Sequence, residues 1–184
     1  MDEELKNELK DGEKILYIGN AEPFQTLDRT NRNPFVVRTV LTVLISIALM
    51  ISYTIEAMKI NNFKILVPVI IAAIAYLVIA SAFRDAKNIR KQKYVITDKR
   101  LIRKGDGTSG IPFSAIGQYL FKMDEDGHTS LLIGEDGIKT SSRNWRKWGA
   151  STLSVSEKGK CDQAVFYAIE QPDEFRKVFE KLVT

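Results

Sequence analysis

Two uninterrupted apolar runs, residues 35–55 and 65–83, constrain this chain more than any other feature. As helices rising 1.5 Å per residue, each would reach roughly 30 Å, the thickness of a bilayer's hydrocarbon core. Strands rarely exceed about ten residues, and core helices of a soluble domain carry a polar stripe that these runs lack. The one formal charge inside either run is Arg38, near enough to the start for its aliphatic stem to lift the guanidinium to the headgroups. Pro68 falls in the first turn of the second run, where a missing N–H costs least. The two runs predict a transmembrane helical hairpin. The 34 mixed, charged residues ahead of it argue against a cleaved signal peptide.

Lysines and arginines set the expected orientation. Arg29 and Arg32 precede the first span, and Arg84, Lys87, Arg90, Lys91 and Lys93 follow the second, whereas the connecting residues 56–64 carry only Lys59 and Lys64. The positive-inside rule then places both termini in the cytoplasm. A single Cys161 excludes an intrachain disulfide framework, and one cysteine with one histidine excludes a His/Cys metal cluster. Nor does any motif call for a cofactor. Residues 84–104 hold nine basic and two acidic side chains, a net charge of +7. Such a juxtamembrane cluster either fixes topology alone or attracts anionic lipid, at about 1 kcal/mol per basic residue. Nucleic acid is a poor partner, because residues 84–184 hold 19 basic and 14 acidic residues, a net of only +5.

Outside the hairpin the period changes from helical to alternating. Lys93–Thr97 and Arg100–Arg103 read as strands joined at Asp98-Lys99. Further strands are expected at Ile116–Met123, Thr129–Ile133, Ile138–Ser142, Thr152–Val155 and Ala164–Ile169, with turns at Gly105-Asp106-Gly107, Asp126-Gly127, Asp136-Gly137 and Lys158-Gly159. Pro172, Asp173 and Glu174 open a closing helix whose apolar face is Phe175, Val178, Phe179 and Leu182. Near the start, Leu5 and Leu9 suggest a short charged helix ending near Gly12, and Glu13–Ile18 a strand. A helical hairpin returns the chain to the side it left, so that strand can join those after residue 92. The expected organisation is an N-terminal cytoplasmic segment 1–34, a hairpin 35–83 and a cytoplasmic β-domain 84–184.

The run Tyr94-Val95-Ile96-Thr97-Asp98-Lys99-Arg100-Leu101-Ile102 resembles the Y-x-x-T-x-x-R-hydrophobic hairpin of prokaryotic pleckstrin-homology-like domains. Ile111-Pro112-Phe113 followed by Ile116 is similar to that family's next segment. Phe166–Ile169 with Pro172-Asp173-Glu174-Phe175 is similar to its last strand and closing helix, and Leu9–Leu16 resembles the "L-x-x-G-E" opening of members interrupted by a transmembrane pair. The resemblance implies an α+β membrane protein of a prokaryotic cell membrane. In it a hairpin interrupts a bent antiparallel barrel or sandwich capped by a C-terminal helix, and no catalytic residues carry over. Residues 135–162 are longer and more polar than the compact pattern.

The remaining candidates are few. Arg143-Asn144-Trp145-Arg146-Lys147-Trp148 sets two tryptophans among three cations. It is either an interfacial loop that meets headgroups or a stretch whose tryptophans fill the core. Asp124-Glu125-Asp126-Gly127 ahead of His128 reads as an acidic turn, its spacing wrong for an EF-hand. Residues 105–110 read as a hairpin tip lacking a phosphate loop's Lys-Ser/Thr ending, and Cys161 as an exposed loop thiol. In the spans, Thr42, Ser46 and Tyr53 lie near one face of the first helix, and Ala72, Ala75 and Ala80 give small surfaces on the second, which suits close approach and interhelical hydrogen bonds within the hairpin or between copies. No nucleophile–base pair or metal shell suggests an enzyme. The leading expectation is a non-enzymatic, membrane-anchored module that binds a protein partner or itself. The alternative is anionic-lipid recognition by Arg84, Lys87, Arg90, Lys91 and Lys93, with Trp145, Arg146, Lys147 and Trp148.

Overall fold

The computed structural model describes residues 9–105, 108–153, 155–156 and 159–183. It is α+β and divides into two compact units: residues 26–84, and a second assembled from both flanks, residues 1–25 with 85–184.

The first unit is a pair of long helices. Helix α1 (Arg29–Lys59) begins six residues before the expected span. The cause is Asp28, whose side chain caps the helix by accepting from Asn31 N at 3.1 Å. Helix α2 (Leu66–Arg90) follows. Their lengths, on the order of 46 Å and 37 Å at 1.5 Å per residue, exceed a hydrocarbon core, and both are apolar enough to cross a membrane. Val37, Leu44, Ile45, Ile74 and Leu77 are each more than half exposed. At one end Phe35 meets Phe83 edge-on at 5.4 Å and Arg38 donates to Ser81 Oγ at 3.2 Å, so Arg38 has a partner inside the pair. At the other end the Tyr53 hydroxyl accepts from Lys64 N at 2.7 Å and donates to Lys64 O at 2.9 Å, pinning the turn. Thr42 and Ser46 donate to their own helix at Arg38 O and Thr42 O, both at 2.8 Å. The expected interhelical role of their hydroxyls is therefore replaced by bonds one turn back.

The second unit holds two antiparallel sheets. In the first, β1 (Ile15–Asn20), β2 (Lys93–Thr97), β3 (Arg100–Lys104) and β4 (Thr108–Pro112) lie in that order. In the second, β5 (Tyr119–Met123), β6 (Thr129–Ile133) and β7 (Ala164–Phe166) lie in that order. The strand from the N-terminal flank thus pairs with the first strand after the hairpin, Ile18 opposite Val95 and Gly19 opposite Tyr94. A closed barrel is not formed. Among the described residues no strand ladder joins the sheets, which are linked by the isolated bridge Ala21–Ile169 and by Cys161 N donating to Ala115 O at 2.9 Å.

Strand alternation sorts the first sheet's faces. Tyr17, Ile96, Leu101 and Ile111 turn into the main core, while Val95 and Ile102 form a separate outer cluster covered in part by Leu9 and Ile15. Glu13, just before β1, is held at the hairpin between β2 and β3. Its Oε1 accepts from Thr97 Oγ1 at 2.7 Å and Arg100 Nε at 2.9 Å, and its Oε2 from Arg100 Nη2 at 3.1 Å and Lys10 N at 2.8 Å. Helix α5 (Pro172–Val183) closes the unit, burying Phe175 and Phe179 as its apolar spacing predicts.

Residues 135–153 depart most from expectation. The predicted strand Ile138–Ser142 is replaced by the short helix α3 (Glu135–Lys139) and the start of α4 (Ser142–Ala150). The chain leaves β6 through Gly134 at φ +81°, where a Cβ would fall 2.2 Å from Asp162 O. That abrupt turn ends strand geometry, and Glu135 and Asp136 then suit a helix start. Thr152, Leu153 and Val155 lie outside any strand, and Ser154 lies outside the described residues. The expected hairpin tip yields β4 from Thr108 onward, with Asp106 and Gly107 outside the described residues. The helix expected around Leu5 also falls largely outside them.

One inward residue is imperfectly matched. The Tyr17 hydroxyl is buried without a hydrogen-bond partner, and burial, helped by nearby Glu174 and Glu170, pushes its pKa up to about 12. The phenol lies over Gly19, where a Cβ would come within 2.2 Å of it. Tyr17→Phe removes a desolvated donor and keeps the ring. It is expected to raise unfolding stability by about 1 kcal/mol, read as a higher thermal midpoint in detergent. Gly19→Ala should lower it.

Candidate functional site

The strongest site is a cleft of about 340 Å³ at the open end of the first sheet. Tyr94 on β2, Arg103 on β3 and Ser109 on β4 stand in one register row, so their side chains share the inner face. The next row inward is Ile96, Leu101 and Ile111, all fully buried. The face therefore changes within one step from apolar core to a polar row. Asn88 near the end of α2, Gln92 just after it, Gly105 and Thr108 from the hairpin, Ala150 at the end of α4, and Ser151 and Thr152 beyond it also line the cleft.

Arg103 is only 3% exposed. Its Nη1 donates to Val165 O at 2.8 Å and to Trp148 O at 3.4 Å, and its Nη2 donates to Ser151 O. The guanidinium also lies 5.8 Å from the Phe166 ring centroid. Every one of these partners is uncharged, and no carboxylate among the described residues pairs with it. Burial pulls its pKa down to about 10, with weak opposing help from Tyr94 and Cys161. Gln92 is buried and engaged at both ends of its amide, donating to Gly149 O at 2.9 Å and accepting from Tyr94 Oη at 3.3 Å. It thus braces the wall of the cleft.

The predicted contact residues fall in three groups. Lys87, Arg90 and Lys91 are exposed near the end of α2, where Ala86 and Ile89 are buried on the opposite face. Arg90 also donates to Phe24 O at 3.1 Å with its guanidinium 5.1 Å over the Phe24 ring. Lys93 is half-buried on β2 opposite Lys104, and Arg84 is exposed within the helical unit. The tryptophan segment is a helix rather than a loop. Trp145 is 3% exposed, its indole donating to Thr140 O at 3.0 Å, and Trp148 is half-buried against the core. Neither Trp145 nor the buried Arg146 presents a surface to headgroups; Lys147 alone of the four is exposed.

Arg146 instead anchors an internal network. Its guanidinium sits 4.3 Å over Phe24 and 5.3 Å from Tyr167, and its Nη2 donates to Tyr167 Oη at 3.3 Å. Tyr167 donates to Asp124 Oδ2 at 2.8 Å, and burial pushes its pKa up. Asp124 Oδ1 accepts from the N–H groups of Asp126 and His128, the acidic turn expected there, and His128 Nδ1 lies 3.0 Å from Glu22 Oε2.

Cys161 is 3% exposed, not the surface thiol expected, and burial raises its pKa. Folded protein is therefore expected to react with an impermeant maleimide at pH 7 at least tenfold more slowly than protein unfolded in denaturant, as measured by mass spectrometry.

Sequence reasoning counted Arg103 within the basic cluster and passed over Ser109 and Thr152. The available signal was alternation: with Leu101 inward, Arg103 two residues on must share its face. No known protein-family model, curated protein or solved structure matches the chain.

Proposed function

We propose that this protein is a non-enzymatic, membrane-anchored interaction module. The α1–α2 pair crosses the bilayer twice, both flanks return to the cytoplasmic side, and the α+β unit there docks a protein partner or a second copy of the chain. The observation that carries this proposal is the pair of helices longer than a hydrocarbon core, with large aliphatic side chains exposed along both. In water that surface would drive aggregation, and in lipid it is satisfied. The motif resemblance to prokaryotic pleckstrin-homology-like domains, the two antiparallel sheets and the C-terminal helix support the module's class. Folding of one unit from both flanks of the helical pair ties both membrane crossings to the same body, so anchoring also raises local concentration at the membrane.

The test is accessibility in intact cells. A cysteine at Asn62, in the turn between α1 and α2, is expected to label with an impermeant maleimide from outside, and one at Lys181 only after permeabilisation. Labelling of both sites from the same side without permeabilisation overturns the topology. Crosslinking in native membranes is then expected to capture a protein neighbour or a homo-oligomer, and a strictly monomeric, partnerless protein overturns the docking role. The exposure of Lys87, Arg90 and Lys91 favours a second reading, in which these residues hold the unit to anionic lipid. It predicts binding to anionic vesicles that weakens when the three are neutralised together.

A further inference from the structure

We propose that the cleft beside Arg103 is a binding site for a phosphate group, carried either by a free phosphate compound or by a lipid headgroup. A buried guanidinium is ordinarily paired with a carboxylate, because carbonyl oxygens offset only part of the cost of removing the charge from water. Arg103 has no such pair among the described residues. Its three bonds go to main-chain carbonyls, which fix the plane of the guanidinium and use three of its five N–H groups. Two N–H donors remain without a partner among the described residues, on a residue that lines the cleft.

The rest of the lining among the described residues is neutral and rich in hydroxyl groups. Ser109 stands directly across the β-ladder from Arg103, Thr108 opposes Lys104, and Thr152 follows α4. Among the described residues, no acidic side chain lines the cleft. The donors come from three separate stretches of chain. That arrangement suits a tetrahedral group with oxygens in several directions better than a planar carboxylate, and a guanidinium is the side chain best matched to phosphate. The volume of about 340 Å³ also leaves room for an organic substituent. The site is distinct from the exposed Lys87 and Lys91, which an anionic surface would reach without entering the cleft.

The experiment uses the full chain in neutral nanodiscs. Inorganic phosphate and glycerol 3-phosphate are titrated at constant ionic strength against chloride, with the thermal midpoint and the 31P linewidth as readouts. In parallel, the midpoint is compared in nanodiscs containing phosphatidic acid. A saturable rise with the soluble phosphates assigns a free ligand, and a rise only with phosphatidic acid assigns a headgroup. Either must disappear in Arg103→Met and weaken about tenfold in the Ser109→Ala/Thr152→Ala double variant, while Lys87→Gln/Lys91→Gln leaves it unchanged. Should Arg103→Met fail to fold, the double variant decides. Equal responses to chloride and phosphate, or a response lost with the lysines and kept in the double variant, overturn the site.

Discussion

Replacing Glu13 with glutamine is expected to cost about 3 kcal/mol of stability at neutral pH, more than an ordinary surface ion pair could explain. The Glu13 side chain is fully shielded, and that of Arg100 is 18% exposed. Breaking such a pair leaves a largely desolvated cation facing a neutral amide. The amide can still accept from Lys10 N, but it returns no charge to Arg100 and brings an N–H₂ group against two donors, Thr97 Oγ1 and Arg100 Nε. Burial by itself would raise the Glu13 pKa. The hydrogen bonds from Arg100, Lys10 and Thr97 outweigh that, together with the charge of Arg100, and hold it at about 2, against a usual 4.5. The carboxylate is thus more acidic in the folded chain than in the unfolded one, so its contribution is complete above pH 4.5. It is lost as the pH falls toward 2. Thermal midpoints of the two proteins measured from pH 6 down to pH 2 should therefore converge at the acid end. Parallel curves throughout that range would show that Glu13 acts by shape and not by charge.

That network also explains why parts of the fold were legible in the sequence. Glu13 belongs to one stretch that resembled a known pattern, and Thr97 and Arg100 to another; the structure bonds all three to each other. The paired strands at Lys93–Thr97 and Arg100–Lys104, and the face Phe175, Val178, Phe179 and Leu182, were readable because burial on one side imposes a period of two or 3.6. The segment after Gly134 was not. Ile138 and Thr140 alternate like strand residues, yet Gly137 lies against the Ala164 main chain, at 3.4 Å from where its Cβ would be. A contact across 27 positions decides that local geometry, and no local pattern encodes it. Trp145, Trp148 and Gly149 carry a helical spacing, and of the two readings open for the tryptophans, core filling is the one that Trp145 follows. Arg103 was hidden for a different reason. Counting charges along a sequence treats Arg103 and Lys104 alike, whereas the pleat sends the first inward and leaves the second at half exposure.

Phe179→Ala is expected to cost about 4 kcal/mol, a large share of the 5–15 kcal/mol that holds a typical domain together. The ring is fully buried and meets Tyr119 at 5.0 Å, Phe121 at 5.9 Å and Phe113 at 6.3 Å in edge arrangements, with Phe175 stacked one turn back at 6.2 Å. Phe175 in turn meets Tyr17 on β1 at 5.3 Å and Phe121 on β5 at 6.2 Å. Helix α5 therefore touches the edge strand of each sheet, β1 in the first and β5 in the second. In a closed barrel, main-chain hydrogen bonds would make that connection; here edge-to-face aromatic contacts supply it. The cavity left by Phe179→Ala lies within this connection, and rigid sheet edges on either side limit collapse into it. Amide exchange should then accelerate in β1 and β5 as well as in α5. Leu182→Ala, on the same helix face at a half-buried position, should cost only about 1–2 kcal/mol and leave exchange in both strands unchanged. A loss below about 1 kcal/mol in Phe179→Ala would mean that α5 does not hold the sheet edges together.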